Sequence, residues 1–151
     1  MTLQSPRILC ITNDFGPRAG GIETFVHGLL ERMPHGSVTV YTSSQSGSED
    51  FDRVWLERFG VSVIRDKSKI LLPTLRVGRA VRKVARERSI STVFFGAAAP
   101  LALLSHGLRS AGVRGAVAGV VDVAGLARRG AADEAGGAFG VARAGGAEAR
   151  A

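Results

Sequence analysis

The chain of 151 residues contains one cysteine, Cys10, and lacks any long apolar run. A single cysteine excludes an intramolecular disulfide and a zinc site built from several cysteines. Its place in an apolar run predicts an inert core thiol. No apolar stretch approaches the roughly 20 residues that a membrane-spanning helix needs. Residues 1–10 also lack the basic start and apolar core of a signal peptide, so we expect a cytoplasmic protein.

Histidine is scarce as well, and the three present do not form a reactive site. His27, His35 and His106 have neither the spacing of metal ligands nor a nucleophile and base beside them. We predict that they are ordinary surface or helix-end residues. The sequence therefore predicts no metal site and assigns no catalytic residue.

Large apolar and polar side chains become rare after residue 114. Ala, Gly, Val, Asp and Glu make up 31 of the 37 residues in 115–151, against 39 of the 114 before them. Such a segment has too little apolar surface to offset the entropy of ordering it. These five residue types are also those whose codons begin with G. We therefore expect one domain over 1–114 and an Ala/Gly-rich tail over 115–151, either a frame-shift product or a native flexible tail.

Strand and helix patterns alternate along residues 1–114. Strands are predicted at 7–13, 37–42, 61–65, 91–95 and, less clearly, 114–121. Helices are predicted at 22–33, 49–59, 74–88 and 100–110. The apolar faces of the first two helices would comprise Ile22, Phe25, Val26, Leu29 and Leu30, and then Phe51, Val54, Trp55 and Phe59. This alternation predicts an α/β fold with an open, doubly wound parallel sheet of the Rossmann-like type.

The loop after the first strand ends in Gly20 and Gly21, directly before a helix. Two residues without a Cβ let the backbone approach a ligand, and the free N–H groups of a first helical turn favour an anion. The pattern thus indicates phosphate binding, and the competing interpretation is a flexible turn that caps the helix. It is neither the dinucleotide fingerprint nor Walker A. The missing third glycine, and the absence of an acidic residue ending the second strand, argue against a fragment of a NAD-type dehydrogenase.

The net charge of +7 is concentrated in residues 65–88, which carry nine basic and two acidic side chains. The basic candidates for a membrane surface are Lys67, Lys69, Arg76, Arg79, Lys83 and Arg86. A helix with such a face can attract anionic lipid headgroups. Nucleic acid is an unlikely partner, because no aromatic side chains are interleaved with the charges. The remaining alternative is a solvated face whose apolar side packs on the sheet.

The wider string at residues 12–22, TNDFGPRAGGI, resembles the opening of family-4 retaining glycosyltransferases of the GT-B fold. The likeness is strongest to the actinobacterial phosphatidylinositol mannosyltransferase group. The Val-Tyr pair in the second strand and FGAAAPLALL at residues 95–104 add to the resemblance, which covers about residues 7–114. Gly16 stands where that family usually has proline.

The resemblance implies an N-terminal, acceptor-side domain and a sugar-nucleotide donor such as GDP-mannose. Gly20 and Gly21 would lie against the donor diphosphate, and Asn13 and Asp14 would flank the cleft for a lipid or glycan acceptor. No separate cofactor or metal is implied. A catalytic histidine would follow the next strand, together with a second domain that binds the nucleotide. Because no histidine follows His106, we expect a truncated or frame-shifted chain that is inactive by itself and peripheral on the inner membrane face. The alternative is a non-catalytic Rossmann-like module that binds a phosphate ligand or an anionic membrane.

Overall fold

Strands and helices alternate through the described part of the chain. A computed structural model describes residues 6–18, 20–96, 99–108, 111, 113 and 115–118. The strands are β1 (Ile8–Ile11), β2 (Val38–Thr42), β3 (Ser62–Arg65), β4 (Thr92–Phe95) and β5 (Gly115–Ala118). The helices are α1 (Gly21–Leu30), α2 (Glu49–Phe59), α3 (Leu75–Glu87) and α4 (Ser105–Leu108), with a 3₁₀ helix at Ala99–Leu104.

All five strands run parallel, in the order β3-β2-β1-β4-β5. The predicted α/β class with an open, doubly wound sheet is therefore confirmed. Strand order reverses between β1 and β4, which are direct neighbours in the sheet. In sheets of this kind, ligands bind outside the carboxyl ends of the strands at such a switch point. The loop that follows β1 lies at this edge.

Helix α3 shows how local sequence produces the element. The Thr74 hydroxyl accepts a hydrogen bond from the Val77 amide and so caps the first turn. Val77, Val81, Val84 and Ala85 are buried on one face. They recur at helical spacing, which confirms the helix predicted at 74–88.

Two predicted core positions on the other helices are wrong. Phe25 on α1 and Val54 on α2 are exposed, whereas their neighbours Val26 and Trp55 are buried. Consecutive residues on a helix are about 100° apart, so each exposed residue lies at the rim of the buried stripe. Helix α1 is also shorter than predicted, since it ends at Leu30.

The sheet separates two apolar clusters. One contains α3 residues together with Leu9, Ile11 and Phe95. The other contains Cys10 and α1 and α2 residues such as Val26 and Trp55. Cys10 is completely buried, and burial raises the pKa of its thiol to about 12, which confirms the predicted core position.

The last described elements differ from the predicted helix at 100–110. The segment begins as a 3₁₀ helix and only its final turn, Ser105–Leu108, is α-helical. Tight 3₁₀ turns are common at the start of helices. Strand β5 follows at Gly115–Ala118, inside the predicted strand 114–121 and just past the predicted domain boundary. The rest of the Ala/Gly-rich tail, from residue 119, lies outside the described residues.

Candidate functional site

Close packing at the switch point fixes the start of the loop after β1. This first loop comprises residues 12–20, of which the structure describes all but residue 19. The buried Thr12 hydroxyl accepts a hydrogen bond of 3.0 Å from the Asp14 amide. Gly96, after β4, donates its amide to the Ile11 carbonyl at 3.0 Å. A Cβ at Gly96 would lie 3.1 Å from both Thr12 and Val26 side chains, so the two strand ends meet where only glycine fits without displacement.

Asn13 joins the first loop to the segment before α3. Its Oδ1 accepts a hydrogen bond of 2.6 Å from the Leu71 amide, and its Nδ2 donates to the Leu71 carbonyl at 3.2 Å. The side chain thus copies the pairing of a neighbouring strand and holds Leu71 in the core, where it is buried. Asn13 lies at the predicted edge, and its amide is already occupied by backbone.

Asp14 lies beside it with a different environment. The carboxylate is half-buried and has no hydrogen bond or ion pair with any residue that the structure describes. Burial raises the pKa of Asp14 above its usual value of 3.8. A carboxylate without a partner at the ligand-binding edge of the sheet is a candidate acceptor of a hydrogen bond from a ligand hydroxyl.

Gly20 and Gly21 form the N-terminus of α1. Gly20 is extended, and its carbonyl accepts hydrogen bonds from the amide and the hydroxyl of Thr24. Among the described residues, no side-chain hydrogen bond caps the start of the helix, and the acidic Glu23 lies in its first turn. A Cβ at Gly20 would lie 2.5 Å from Oε2 of Glu23, whereas a Cβ at Gly21 would meet no atom within 4 Å in the part of the chain that the structure describes. The uncapped first turn is therefore most accessible at Gly21.

Arg65, at the end of β3, ties three segments together. Its guanidinium forms two hydrogen bonds of 2.7 Å with the Asp52 carboxylate on α2. It also donates to the Ser43 carbonyl at 3.0 Å and to the Phe15 carbonyl at 3.1 Å. Its side chain is only 14% exposed. Sequence reasoning missed this role, although a charged residue at the carboxyl end of a predicted strand was a signal for it.

Aromatic rings of α1 and α2 pack against Phe15 of the first loop. Phe15 is fully buried, and its ring centroid lies 5.2 Å from His27, 5.3 Å from Phe51 and 5.0 Å from Trp55. His27 lies in the last turn of α1, which agrees with the prediction of a helix-end residue, and its ring also belongs to this cluster. Its Nε2 is buried with no hydrogen-bond partner among the described residues. Desolvation lowers the pKa of His27, against the opposing field of Glu31, so the neutral ring is favoured.

A polar network lies next to the loop, around Asp66. This buried carboxylate accepts hydrogen bonds from the Tyr41 hydroxyl at 2.7 Å and from the Ser68 amide at 2.8 Å. It also forms an ion pair of 2.8 Å with Arg76 on α3. The hydrogen bonds from Arg76, first of all, hold the pKa of Asp66 well below its usual value. Burial and the same Asp66 contact raise the pKa of Tyr41.

The six basic candidates for a membrane surface differ in whether an acidic side chain pairs with them. Arg76 is held by Asp66, and Lys83 lies 3.7 Å from Glu87. The other four are exposed and form no ion pair with a described residue: Lys67, Lys69, Arg79 and Arg86. Arg79, Arg82, Lys83, Arg86 and Glu87 line an open concavity of about 560 Å³ on α3. The outer face of α3 is therefore strongly positive.

Apolar side chains extend from the segment that precedes α3. Ile70, Leu72 and Leu75 are all more than half exposed, while Leu71 between them is buried. They follow Lys67 and Lys69 in the chain. Three large aliphatic side chains in the solvent beside lysines make an unusual surface, because exposed apolar groups in close succession often mark an interaction site.

The structure shows neither a metal site nor a spanning helix in the residues it describes. Within them, no three His, Cys, Asp or Glu side chains come close enough together to hold a metal ion. None of the described helices has the length and apolarity needed to cross a membrane.

Strand order, crossover helices and the glycine-closed first loop define a Rossmann-like α/β domain, a fold in which ligands bind at the switch point. Comparison with known proteins shows which members of this broad fold class the chain is similar to. No protein-family model matches the chain. It is 39% identical over 112 residues to a GDP-mannose-dependent alpha-(1-6)-phosphatidylinositol monomannoside mannosyltransferase of Mycolicibacterium smegmatis. It is 35% identical over 114 residues to a GDP-mannose-dependent monoacylated alpha-(1-6)-phosphatidylinositol monomannoside mannosyltransferase of Corynebacterium glutamicum.

A Mycobacterium tuberculosis protein with the same name as the first relative is 39% identical over 109 residues. These alignments cover 70 to 76% of the chain. The chain is therefore similar to these mannosyltransferases over about 75% of its length, which confirms the resemblance predicted from its first loop. It spans only about 29% of the length of the first two relatives.

Proposed function

We propose that this chain is an acceptor-side domain of a mannosyltransferase that uses GDP-mannose and a phosphatidylinositol-type lipid. The relatives carry both compounds in their names. In this proposal the 151 residues bind part of each substrate and do not complete the transfer by themselves. A retaining transfer needs charge stabilisation at the leaving phosphate and a held acceptor hydroxyl, and this domain would contribute one element to each.

The observation that carries the proposal is the space at Gly21. Gly21 has no left-handed backbone angle, and a Cβ there would touch no atom of the described residues within 4 Å. The fold itself therefore does not require glycine at this position. A ligand that approaches the backbone would require it, and the uncapped first turn of α1 favours an anionic one. The diphosphate of the donor fits both conditions.

Gly21→Ala tests this assignment directly. Alanine is the better helix former by about 1 kcal/mol, so the free energy of unfolding should stay the same or rise. Binding of inorganic pyrophosphate should weaken, because the new methyl group occupies the approach to the first-turn amides. Both quantities can be measured on the full chain, by urea denaturation and by NMR titration of the amides.

Gly28→Ala is the matched control, since it makes the same change inside α1, where the nearest atom is a flexible arginine end at 3.4 Å. It should leave pyrophosphate binding unchanged. Equal affinity of Gly21→Ala and the unsubstituted chain would contradict the assignment.

Asp14 is the acceptor-side residue that the geometry favours. Its carboxylate is partly desolvated and has no partner among the described residues, whereas Asn13 is engaged by Leu71. A desolvated carboxylate gains more from a hydroxyl donor than a solvated one does. We therefore assign Asp14 to hold an acceptor hydroxyl and Asn13 to shape the cleft by fixing Leu71.

The lipid acceptor brings the domain to a membrane surface in this proposal. The positive face of α3 would contact anionic headgroups, and Ile70, Leu72 and Leu75 would enter the interface beside Lys67 and Lys69. Apolar insertion and electrostatic attraction add in such peripheral binding. The domain would then be peripheral on the inner face of the membrane.

Replacing Arg79 and Lys83 together by glutamine should weaken binding to vesicles that contain phosphatidylinositol by roughly tenfold or more. Vesicles of phosphatidylcholine alone should bind the unsubstituted chain poorly. Sedimentation with both kinds of vesicle measures the effect.

The control replaces Arg53 and Arg58 of α2 by glutamine, which removes the same charge from another helix. If both double variants lose binding equally, only net charge matters and the surface on α3 is wrong. Vesicle binding without any pyrophosphate binding would favour the non-catalytic module instead.

A further inference from the structure

We propose that Arg65 is a positioning residue that sets the conformation of the first loop, and through it the affinity of the α1 N-terminus for a diphosphate. This inference rests on the proposed function. Arg65 contacts no residue of the glycine pair itself. It acts through Phe15, whose carbonyl accepts a hydrogen bond of 3.1 Å from the guanidinium.

The first loop is anchored at only a few points. Its start is bonded to β2 through the Thr12 amide, and its end is bonded to α1 through the Gly20 carbonyl. Between them, Asn13 is bonded to Leu71, and the Phe15 side chain is fully buried. Its ring is held by the aromatic cluster and its carbonyl by Arg65. The position of Phe15 in the loop is therefore set by its ring contacts and by where Arg65 holds that carbonyl.

Arg65 is itself placed with little freedom. Asp52 binds its guanidinium through two parallel hydrogen bonds, which fixes the plane of the group as well as its position. The Ser43 carbonyl takes a further donor. The Arg65 side chain thus joins β3, α2 and the segment after β2. A displacement of any of these elements would therefore move the guanidinium that binds the Phe15 carbonyl.

Gly16, the next residue, depends on the same arrangement. A Cβ at Gly16 would lie 1.9 Å from Oε1 of Gln45. Gln45 follows Ser43 closely in the chain, so the carbonyl that Arg65 holds also places the amide packed on Gly16. A side chain at position 16 would require Gln45 to move. The first loop and the segment after β2 therefore fit together as one surface, with Arg65 at their junction.

For Asp52→Ala, the change in net charge and the loss of the Arg65 anchor have opposite expected effects on pyrophosphate affinity. This change makes the chain one unit more positive, so simple attraction predicts tighter binding of pyrophosphate. Loss of the guanidinium's anchor predicts weaker binding, because the loop is no longer held. We expect Asp52→Ala and Arg65→Gln each to weaken pyrophosphate binding roughly fivefold or more, since small misplacements of a binding group are costly.

The measurement is an NMR titration of the full chain with inorganic pyrophosphate at constant ionic strength, read at the Gly20 and Gly21 amides. Arg53→Gln removes an exposed arginine of α2 that pairs with Asp50, and the affinity of this variant should stay within about twofold. Arg65→Lys keeps the charge without the planar fork, so it should restore little of the affinity. Thermal unfolding confirms which variants are folded at the temperature of the titration.

Tighter binding by Asp52→Ala, or full affinity in Arg65→Lys, would overturn the inference. If the unsubstituted chain itself shows no saturable shifts at Gly20 and Gly21, the diphosphate assignment fails instead. The role of Arg65 is then decided by amide hydrogen exchange in the free protein. Faster exchange at Phe15 and Gly16 in Arg65→Gln supports it, and unchanged exchange contradicts it.

Discussion

Phe15→Ala is expected to lower the free energy of unfolding by about 3 to 5 kcal/mol, the usual cost of removing a buried phenylalanine. The ring is fully buried and makes three contacts with other rings. Its loss leaves a cavity between α1 and α2, directly beneath the first loop. Urea denaturation monitored by the fluorescence of Trp55, the single tryptophan of the chain, measures the change.

Phe25→Ala makes the same chemical change on α1, where the ring is 36% exposed. It should cost less than half as much, because solvent already reaches that side chain. Equal losses for the two variants would show that the aromatic cluster does not hold the loop as described.

Asp66→Ala is expected to lower the free energy of unfolding by about 1 to 3 kcal/mol, because the buried Tyr41 hydroxyl loses the acceptor of its hydrogen bond. This figure counts the Tyr41 contact alone. The ion pair with Arg76 adds less than its short distance indicates, because the arginine side chain is 58% exposed and screened by solvent. Asp50→Ala, which removes an exposed carboxylate paired with Arg53, should change stability little. Urea denaturation at neutral pH compares the two.

The same carboxylate makes stability depend on pH. The pKa of Asp66 is lowered in the folded state, chiefly by Arg76, so the unfolded chain binds its proton first as pH falls. The stabilisation that comes from ionised Asp66 is fully present above the ordinary aspartate pKa near 3.8, and it is lost as pH falls toward the pKa of Asp66 in the folded state. Below about pH 4, Asp66→Ala should therefore lose stability less steeply than the unsubstituted chain. Parallel pH profiles would contradict this account of the network.

Local signals in the sequence predicted most of the fold. The Thr74 cap and the helical spacing from Val77 to Ala85 determine α3, and short apolar runs determine the strands. Both are properties of neighbouring residues, so they are visible without knowledge of the fold. The exposed Phe25 and Val54 mark the limit of that reasoning, because periodicity gives the direction of a stripe and not its width.

The sequence placed the first loop but not what holds it. Arg65 lies 50 residues from Phe15, and Asn13 lies 58 residues from Leu71. Such contacts exist only once parallel strands bring their carboxyl ends to one edge. The ring contacts of His27 are hidden from the sequence for the same reason, since the rings around it come from α2 and the first loop.

The sequence predicts one basic surface, and the fold divides it. Arg76 turns to Asp66, because the strand end and the helix start face each other across the short segment between them. The exposed leucines and isoleucine of that segment could not be told from core residues by type alone. Leu71 is buried while Ile70 and Leu72 are exposed, because the two hydrogen bonds with Asn13 hold the backbone of Leu71 against the sheet.

The central claim is that the N-terminus of α1 binds the diphosphate of a sugar nucleotide. An NMR titration of the unsubstituted chain with GDP-mannose, compared with mannose alone, tests it most directly. We expect saturable shifts at Gly20, Gly21 and the following first-turn amides with GDP-mannose, and none with mannose. Shifts confined to the basic face of α3, or none at all with GDP-mannose, would contradict the account.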